Sequence, residues 1–201
     1  MSGEHASATI SAEVRHVESL LEARGLLQPG EIDARIDEFL AGGSPANGAR
    51  IVARAWTDPG FAERLLADAN AAIRELGLSM AGGLQEQRLK VVANGVRADG
   101  TEEHHVVVCT LCSCYPIALL GPSPSWYKSE AYRSRVVRDP RGVLREFGLE
   151  LPDPVAISVW DASAESRYMV LPRRPDGTEG LSEEQLAGLV TRKGLIGTAA
   201  V

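Results

Sequence analysis

The stretch Val108-Cys109-Thr110-Leu111-Cys112-Ser113-Cys114-Tyr115-Pro116 contains all three cysteines of this 201-residue chain. Three thiols packed so closely in sequence are poor candidates for simple core packing. A disulfide between Cys112 and Cys114 would close a very tight ring, in which good bridge geometry is hard to reach. The odd number of cysteines would also leave one thiol over. The stretch is therefore more typical of a metal site than of a disulfide-bonded loop.

A structural zinc site is one interpretation of these thiols, because thiolates are its usual ligands and Cys-x-x-Cys is common in such sites. Zinc requires four ligands in a tetrahedron, and the chain has no second cysteine pair. His104 or His105 would have to supply the fourth ligand, although both are better explained as residues of a strand. On spacing alone this alternative stays open.

A catalytic metal held by the loop itself is the other interpretation. If the amide nitrogens of Ser113 and Cys114 lose their protons, they chelate a metal in consecutive small rings with the sulfurs of Cys112 and Cys114, and Cys109 caps the plane. Five ligands leave an octahedral metal one open position, which catalysis requires. Anionic amide and thiolate donors favour trivalent, low-spin cobalt or iron over zinc. Sulfur in such a site is prone to oxidation to sulfenic and sulfinic acids.

Length and composition exclude several classes of partner. The chain is long enough for one large domain, or for one ordinary domain and an arm. A net charge of −6 and a pI of about 5.3 give no reason to expect nucleic acid or an anionic membrane as a partner. The first residues resemble no signal peptide, and no apolar run approaches a membrane span. We expect a cytoplasmic protein with reduced thiols.

The first third of the chain has helical periodicity. Apolar spacing predicts one helix over residues 8–24 and a second from Ile32 to Gly42-Gly43. Ser44-Pro45 and Asp58-Pro59 each place a capping residue before a proline, which predicts two further helices, the second reaching Leu76. We predict that residues 1–43 form a helical arm and residues 44–201 the main domain. The arm either lies on a partner or packs as a hairpin on its own domain.

Later segments alternate in hydrophobicity and predict strands. Segments 88–93 and 105–109 are rich in valine, and Asp99-Gly100 between them is a hairpin turn signal. Segments 155–160 and 167–171 predict two more strands, separated by a polar turn. Further helices are predicted over residues 129–137, 140–147 and 182–190. The fold class is therefore α+β, and the thiol stretch leaves the end of a strand.

At the thiol stretch the sequence resembles the metal-binding motif of nitrile hydratase α subunits, and Thr110 with Tyr115 resembles the cobalt-type motif. Other segments resemble the same family in the same order: 52–59, 126–129, 132–138, 160–161, 164–168 and 177–180. The resemblance covers about Val52 to Thr198. It implies a layered α/β/β/α metal-binding domain after the arm.

The resemblance implies a ligand set and a reaction. The sulfurs of Cys109, Cys112 and Cys114, with the backbone nitrogens of Ser113 and Cys114, would bind one non-corrin cobalt(III) ion per chain, in preference to iron(III). Cys112 would be a sulfinic acid and Cys114 a sulfenic acid. The reaction implied is hydration of a nitrile to an amide. The nucleophile favoured is the Cys114 sulfenate oxygen, with metal hydroxide as the alternative.

The resemblance also implies supporting residues and partners. Gln85, Asp161, Glu165 and Arg167 match family positions that support the site, although Asp161 and Glu165 would otherwise be plain turn acids. A β-type subunit would supply arginines to the oxidised cysteines, and an activator protein would load the metal. We predict a solvated or subunit-contacting face from four arginines, Arg133, Arg135, Arg138 and Arg141.

One departure from the family bears on the substrate. Ile117 stands where the family usually has tryptophan, and with Tyr115 it is a candidate pocket residue. A smaller side chain opens volume, so we expect a bulky or heteroaromatic nitrile, such as the nucleoside-like toyocamycin. The alternatives are the cobalt subunit of thiocyanate hydrolase and a non-catalytic zinc-binding module. A thiol oxidoreductase is disfavoured because it would not explain the matching segments outside the motif.

Overall fold

A computed structural model describes residues 8–80, 86–112 and 114–201 of the chain. The chain forms two compact units, which divide between Gly42 and Gly43. Helices and strands are mixed, as the predicted α+β class requires. Across the described residues, no helix combines the length and the apolar character needed to cross a membrane.

The first unit consists of helices α1 (Ala8–Ala23) and α2 (Glu31–Gly42), which confirms both predicted helices. Helix α1 ends where Gly25 adopts a φ of 69°, a conformation that glycine takes without strain. The Leu26 N–H then bonds the carbonyl of Leu21 at 3.0 Å and closes the last turn. One face of α1 exposes a row of apolar side chains, namely Ile10, Val14, Val17 and Leu20. The role of this unit as an arm on a partner stays a prediction.

The second unit begins with three consecutive helices, α3 (Pro45–Thr57), α4 (Pro59–Ala67) and α5 (Ala69–Arg74). The sequence predicts a single helix from Pro59 to Leu76, and this prediction is wrong. Asp68 interrupts it with an extended backbone, and its carboxylate accepts a hydrogen bond of 3.1 Å from the Ala71 N–H. Asp68 therefore caps a new helix, because aspartate satisfies the free N–H groups of a helix start.

Within the described residues, five strands form two small sheets. Strands β1 (Arg88–Ala93) and β5 (Ser166–Leu171) pair in parallel in one sheet. The other sheet has the order β2–β3–β4, in which β2 (Gly95–Val96) runs antiparallel to β3 (Glu102–Val108) and β4 (Ala156–Asp161) runs parallel to it. All four predicted strands exist, and none of their ends differs from the predicted one by more than three residues.

The predicted hairpin turn forms, but it joins another pair of strands than the predicted pair. Asp99-Gly100 does make a turn, with Gly100 at a φ of 85°, but the turn joins β3 to the short β2 and not to β1. The chain leaves the first sheet at Asn94, whose side-chain oxygen accepts the backbone N–H of His105 at 2.7 Å. That bond takes the place of strand pairing, so β1 and β3 belong to separate sheets.

An ion pair fixes the start of β3. The Glu103 carboxylate accepts hydrogen bonds from the Arg97 guanidinium and from the Ser158 hydroxyl of β4. These two bonds stabilise the charged form and lower the pKa of Glu103 from 4.5 to about 2.

The remaining helices surround the sheets. They are α6 (Ile117–Leu120), α7 (Ser125–Lys128), α8 (Glu130–Arg138), α9 (Pro140–Glu146), α10 (Glu183–Leu189) and α11 (Arg192–Ile196). Helices α8, α9 and α10 confirm the predicted ones, whereas the short α6, α7 and α11 have too few residues for a periodic signal. Asp139 caps α9 and a capping box at Ser182 begins α10.

Candidate metal centre

The three cysteine sulfurs meet where β3 ends. We call Cys109–Cys114 the thiol loop. Cys109 directly follows β3 and is fully buried, Cys112 is exposed and Cys114 is half-buried. Their sulfurs all lie within 4.8 Å of one another. The Cys112 Sγ is 3.7 Å from that of Cys109 and 2.9 Å from that of Cys114, and no disulfide joins them.

Backbone N–H groups of the loop point at the most buried sulfur. The Cys112 N–H donates to the Cys109 Sγ at 3.3 Å, and those of Cys114 and Leu111 are also directed at it. Burial raises the pKa of the Cys109 thiol, but these donors outweigh burial and lower it to about 7. Burial and the contact with Cys112 raise the pKa of the Cys114 thiol to about 12, against the opposing charge of Arg167. The Cys109 thiol therefore ionises at a lower pH than the Cys114 thiol.

This donor set fits a single metal ion. Two sulfurs bound to one ion at about 2.3 Å lie roughly 3.2 Å apart at a right angle and roughly 3.8 Å apart at a tetrahedral angle. The observed separations of 2.9 Å and 3.7 Å are close to these values. The Cys114 amide faces the cluster, as a nitrogen ligand must. Ser113, the other predicted nitrogen ligand, lies outside the described residues.

The two neighbouring histidines do not join the thiols. His104 and His105 lie within β3, and the candidate metal cluster among the described residues contains only the three cysteines. The His104 Nε2 bonds the Gly197 carbonyl at 2.8 Å, and the His105 Nδ1 accepts the indole N–H of Trp160 at 2.9 Å. Burial lowers the pKa of both rings. Neither His104 nor His105 therefore supplies the fourth ligand that the zinc alternative requires.

Asp161 holds the residue that follows Cys109. It ends β4, directly opposite Val108 in the sheet. Its carboxylate accepts the Thr110 N–H at 2.9 Å and the Thr110 hydroxyl at 2.6 Å. Asp161 is therefore bonded to the thiol loop, and its contacts exceed those of a plain turn acid.

Arg167 lies next to the cluster, while Glu165 stays within its turn. Arg167 is 8% exposed, and its guanidinium donates to the carbonyls of Ser163 and Ala164. Its Nε is buried without a hydrogen-bond partner in the described part of the chain. The Glu165 carboxylate accepts the Ser163 hydroxyl at 3.2 Å. Gln85, the remaining predicted support, lies outside the described residues.

The two candidate pocket residues lie on the core side of the loop. Tyr115 is 5% exposed and packs edge-on against Tyr127, with ring centroids 5.0 Å apart. Ile117 is half-buried, begins α6 and packs against the core. Their role in substrate selection stays a prediction. The Tyr127 hydroxyl donates to the Cys114 carbonyl at 3.1 Å, a contact that no sequence pattern indicated.

Two of the four arginines for which the sequence predicts a solvated or subunit-contacting face, Arg133 and Arg141, bond backbone carbonyls of this chain. Arg133 donates to the carbonyls of Thr110 at 2.6 Å and Leu111 at 3.0 Å in the thiol loop. Arg141 donates to backbone carbonyls between Leu151 and Val155. Arg135 and Arg138 are exposed, as a solvated face requires, and Arg135 forms a surface ion pair. A contact of these arginines with another subunit stays a prediction. Helical spacing cannot reveal the contacts of Arg133 and Arg141, because the acceptors are backbone atoms of distant segments.

The site opens to solvent in this chain. Leu111, at the tip of the loop, is 84% exposed, and Cys112 is exposed beside it. A cavity of about 730 Å³ lies elsewhere, between α4, α5 and strand β1, and none of the thiols lines it. The tip of the thiol loop therefore lies at the surface of this chain.

Comparison with known proteins agrees with this geometry. The family model described as nitrile hydratase, alpha chain, matches residues 8–199. The chain belongs to this family. The low-molecular weight cobalt-containing nitrile hydratase subunit alpha of Rhodococcus rhodochrous is 53% identical over 191 residues, which cover 94% of this chain and 88% of the relative.

Solved structures of the nitrile hydratase family and of a related enzyme are similar over nearly the whole chain. A histidine double mutant of the Fe-type nitrile hydratase from Comamonas testosteroni Ni1 has a TM-score of 0.85 at 40% identity, covering 98% of this chain and 92% of that one. A recombinant thiocyanate hydrolase comprising partially-modified cobalt centers has a TM-score of 0.84 at 40% identity, covering 97% and 90%. The fold and the family are thus shown, and cobalt-containing and Fe-type proteins both resemble this chain.

Proposed function

We propose that this chain is the metal-bearing subunit of a nitrile hydratase, which adds water to a nitrile and gives the amide. The observation that carries the proposal is the meeting of three sulfurs within 4.8 Å of one another, with the amides of Leu111, Cys112 and Cys114 directed at the Cys109 sulfur. The family match supports it, because the chain aligns with nitrile hydratase alpha chains over residues 8–199.

The proposed metal is cobalt(III), held by the sulfurs of Cys109, Cys112 and Cys114 and by the backbone nitrogens of Ser113 and Cys114. The cobalt-containing relative at 53% identity supports this choice, and iron is the alternative because an Fe-type structure is also similar. When bound, such an ion supplies Lewis acidity that polarises a nitrile or lowers the pKa of water.

The exposure of the thiols supports the proposed oxidation pattern. Cys112 is exposed, Cys114 is half-buried and Cys109 is fully buried. Access of an oxidant to the sulfur decreases in that order, which fits a Cys112 sulfinic acid, a Cys114 sulfenic acid and an unoxidised Cys109. The Cys114 sulfenate oxygen is the proposed nucleophile toward the nitrile carbon. Water then replaces the oxygen that is transferred, so the net reaction adds one water.

The chain's own residues would organise this chemistry. Asp161 holds the loop through Thr110, and Arg167 places a buried positive charge beside Cys114. Gln85 and Glu165 are proposed as further supports on the family resemblance alone. Thiols that must be loaded with metal before oxidation require a reducing compartment, so we propose the cytoplasm.

A second subunit is proposed to complete the site. The exposed Leu111 and Cys112 leave the loop uncovered in this chain. Oxidised sulfurs carry negative charge and require cationic donors, which we assign to arginines of a β-type subunit. An activator protein is proposed to load the metal.

A bulky or heteroaromatic nitrile is the proposed substrate, on the ground that Ile117 replaces the usual tryptophan. The test compares hydration rates of a small aliphatic nitrile and a bulky heteroaryl nitrile by the complex with its partner. Faster hydration of the heteroaryl nitrile is expected, and a strong preference for the aliphatic one contradicts the proposal. Thiocyanate is assayed in parallel, because a thiocyanate hydrolase is also structurally similar.

Native mass spectrometry of the purified chain tests the metal and the modifications together. One cobalt and three added oxygen atoms are expected, two of them on Cys112 and one on Cys114. Zinc on unmodified cysteines would instead support the non-catalytic zinc-binding module and contradict the proposed enzyme.

A further inference from the structure

The thiol loop is held from two sides by groups of opposite charge. Asp161 accepts the Thr110 N–H and hydroxyl, as described above. From the other side, one guanidinium nitrogen of Arg133 donates to the carbonyls of both Thr110 and Leu111. Between Cys109 and Cys112, the donors of Thr110 are therefore bound by a carboxylate, and the carbonyls of Thr110 and Leu111 are bound by a cation. Hydrogen bonds that involve a charged partner are the stronger class.

Arg133 is itself placed by a rigid element. The neighbouring Tyr132 is 5% exposed, and its hydroxyl donates to the Val107 carbonyl of β3 at 2.7 Å. The Tyr132 ring also packs against Trp126 with centroids 4.9 Å apart. Helix α8 is thus attached to the strand that leads into the thiol loop. This attachment fixes the position from which Arg133 reaches the loop.

The Arg133 guanidinium is held in this position by its contacts. Its Nε is buried and has no hydrogen-bond partner in the described part of the chain. Leaving a buried donor unsatisfied is unfavourable, so a side chain free to move would turn this nitrogen toward solvent. The two bonds to the loop carbonyls are the contacts that oppose such a movement.

We propose that Arg133 is a positioning residue that fixes the Thr110–Leu111 carbonyls and thereby sets the separation of the Cys109 and Cys112 sulfurs before metal binds. The inference rests on the proposed function, because it assigns Arg133 to the same metal site. Arg133 need not touch the metal or the substrate. Its effect is to reduce the number of conformations that the loop must give up when it closes around an ion.

The test uses the full-length, metal-free chain under reducing and anaerobic conditions. Co²⁺ is titrated into the wild type and into Arg133→Gln, Arg133→Lys and Arg135→Gln, and thiolate-to-cobalt charge-transfer absorption is recorded. Arg135→Gln is the matched control, because Arg135 lies on the same helix and pairs with Glu146 on the surface. The rate at which a disulfide reagent modifies the cysteines is measured without metal as a second readout.

Arg133→Gln is expected to weaken Co²⁺ binding about tenfold and to accelerate thiol modification, because supporting groups typically contribute 10- to 100-fold to metal affinity. Arg133→Lys is expected to recover part of the affinity, since an ammonium keeps the charge but lacks the planar fork. Arg135→Gln is expected to match the wild type. Affinity and thiol reactivity within twofold of wild type for both Arg133 variants overturn the inference.

Two further measurements separate the possible failures. Thermal unfolding identifies a variant that does not fold. If Arg133→Gln does not fold, the test relies on Arg133→Lys, which is expected to bind Co²⁺ at least threefold more weakly than the wild type. Binding of Co²⁺ by Arg133→Lys as tight as that of the wild type overturns the inference. Nitrile hydration by the wild-type complex is assayed separately. A wild type that binds cobalt without hydrating nitriles contradicts the proposed function, whereas a weakened Arg133→Gln still supports the role of Arg133 in the loop.

Discussion

Replacing Asp161 tests how strongly the end of β4 supports the thiol loop. Two changes are informative, because the carboxylate accepts two hydrogen bonds from Thr110, at 2.9 Å and 2.6 Å. Asp161→Asn keeps one oxygen that can accept the Thr110 N–H but removes the charge and the second acceptor. Asp161→Ala removes both acceptors.

The expected magnitude follows from these contacts. A hydrogen bond to a charged group contributes about 1.5–3 kcal/mol, and the exposure of Asp161 favours the lower end of that range. Losing one such bond corresponds to roughly tenfold weaker metal binding for Asp161→Asn, and losing both to roughly 100-fold for Asp161→Ala. These values lie within the range found for groups that support metal ligands elsewhere.

Cobalt affinity is measured by competition with a chelator of known affinity, and cobalt content by elemental analysis. Asp153→Asn is the control, because Asp153 is also an exposed acid close to β4, in the loop that precedes it, and the variant loses the same charge. The control is expected to match the wild type. If both Asp161 variants also bind cobalt like the wild type, the loop is not held by this carboxylate and the reasoning is refuted.

Three other changes test the surrounding fold. Glu103→Gln should remove an acid-sensitive contribution to the free energy of unfolding. Because its pKa is lowered in the folded state, Glu103 stabilises the fold by roughly 1–3 kcal/mol above pH 4.5, and this stabilisation is lost as the pH falls toward 2. Urea unfolding at each pH measures the loss. Gly197→Ala should destabilise by at least about 2 kcal/mol, because φ is 86° and an added Cβ would lie 2.0 Å from a β3 carbonyl oxygen, measured by thermal unfolding. Tyr127→Phe should cost about 1 kcal/mol, because it leaves the half-buried Cys114 carbonyl without the hydroxyl that donates to it, and chemical denaturation measures this loss.

For each of these three predictions, one experimental result would contradict the reasoning. A Glu103→Gln variant that loses stability between pH 4.5 and 2 as steeply as the wild type shows that another group is responsible. Gly188→Ala is the control for Gly197→Ala, because Gly188 lies in α10 with open space around it and alanine should stabilise the helix slightly. Equal effects at the two glycines would contradict the steric argument. A fully stable Tyr127→Phe would mean that water satisfies the carbonyl.

Much of the fold follows from local sequence signals, and the errors have identifiable causes. Ser44-Pro45, Asp58-Pro59 and Asp139-Pro140 each begin a helix in the structure, because a cap and a proline act within one turn. The sequence does not reveal the break at Asp68, because the helical spacing of apolar residues continues on both sides of it. The capping bond from Ala71 to Asp68 changes the backbone over only one turn. The pairing of β1 with β5 was missed because pairing partners lie far apart in sequence, and a turn signal between two strands does not require those strands to pair.

The features of the candidate site also divide into those that the sequence predicts and those that only the structure reveals. The short spacing of the cysteines already confines three sulfurs to one loop, and the end of a strand fixes where the loop begins. By itself, therefore, the sequence determined the kind of donors, the family and the element that carries them. The family resemblance also indicated Asp161 as a supporting residue, whereas only the tertiary structure decided that Arg133 and Tyr127 hold the loop. These two side chains approach it from α8 and α7, and bonds to backbone carbonyls leave no periodic or spacing signal in a sequence.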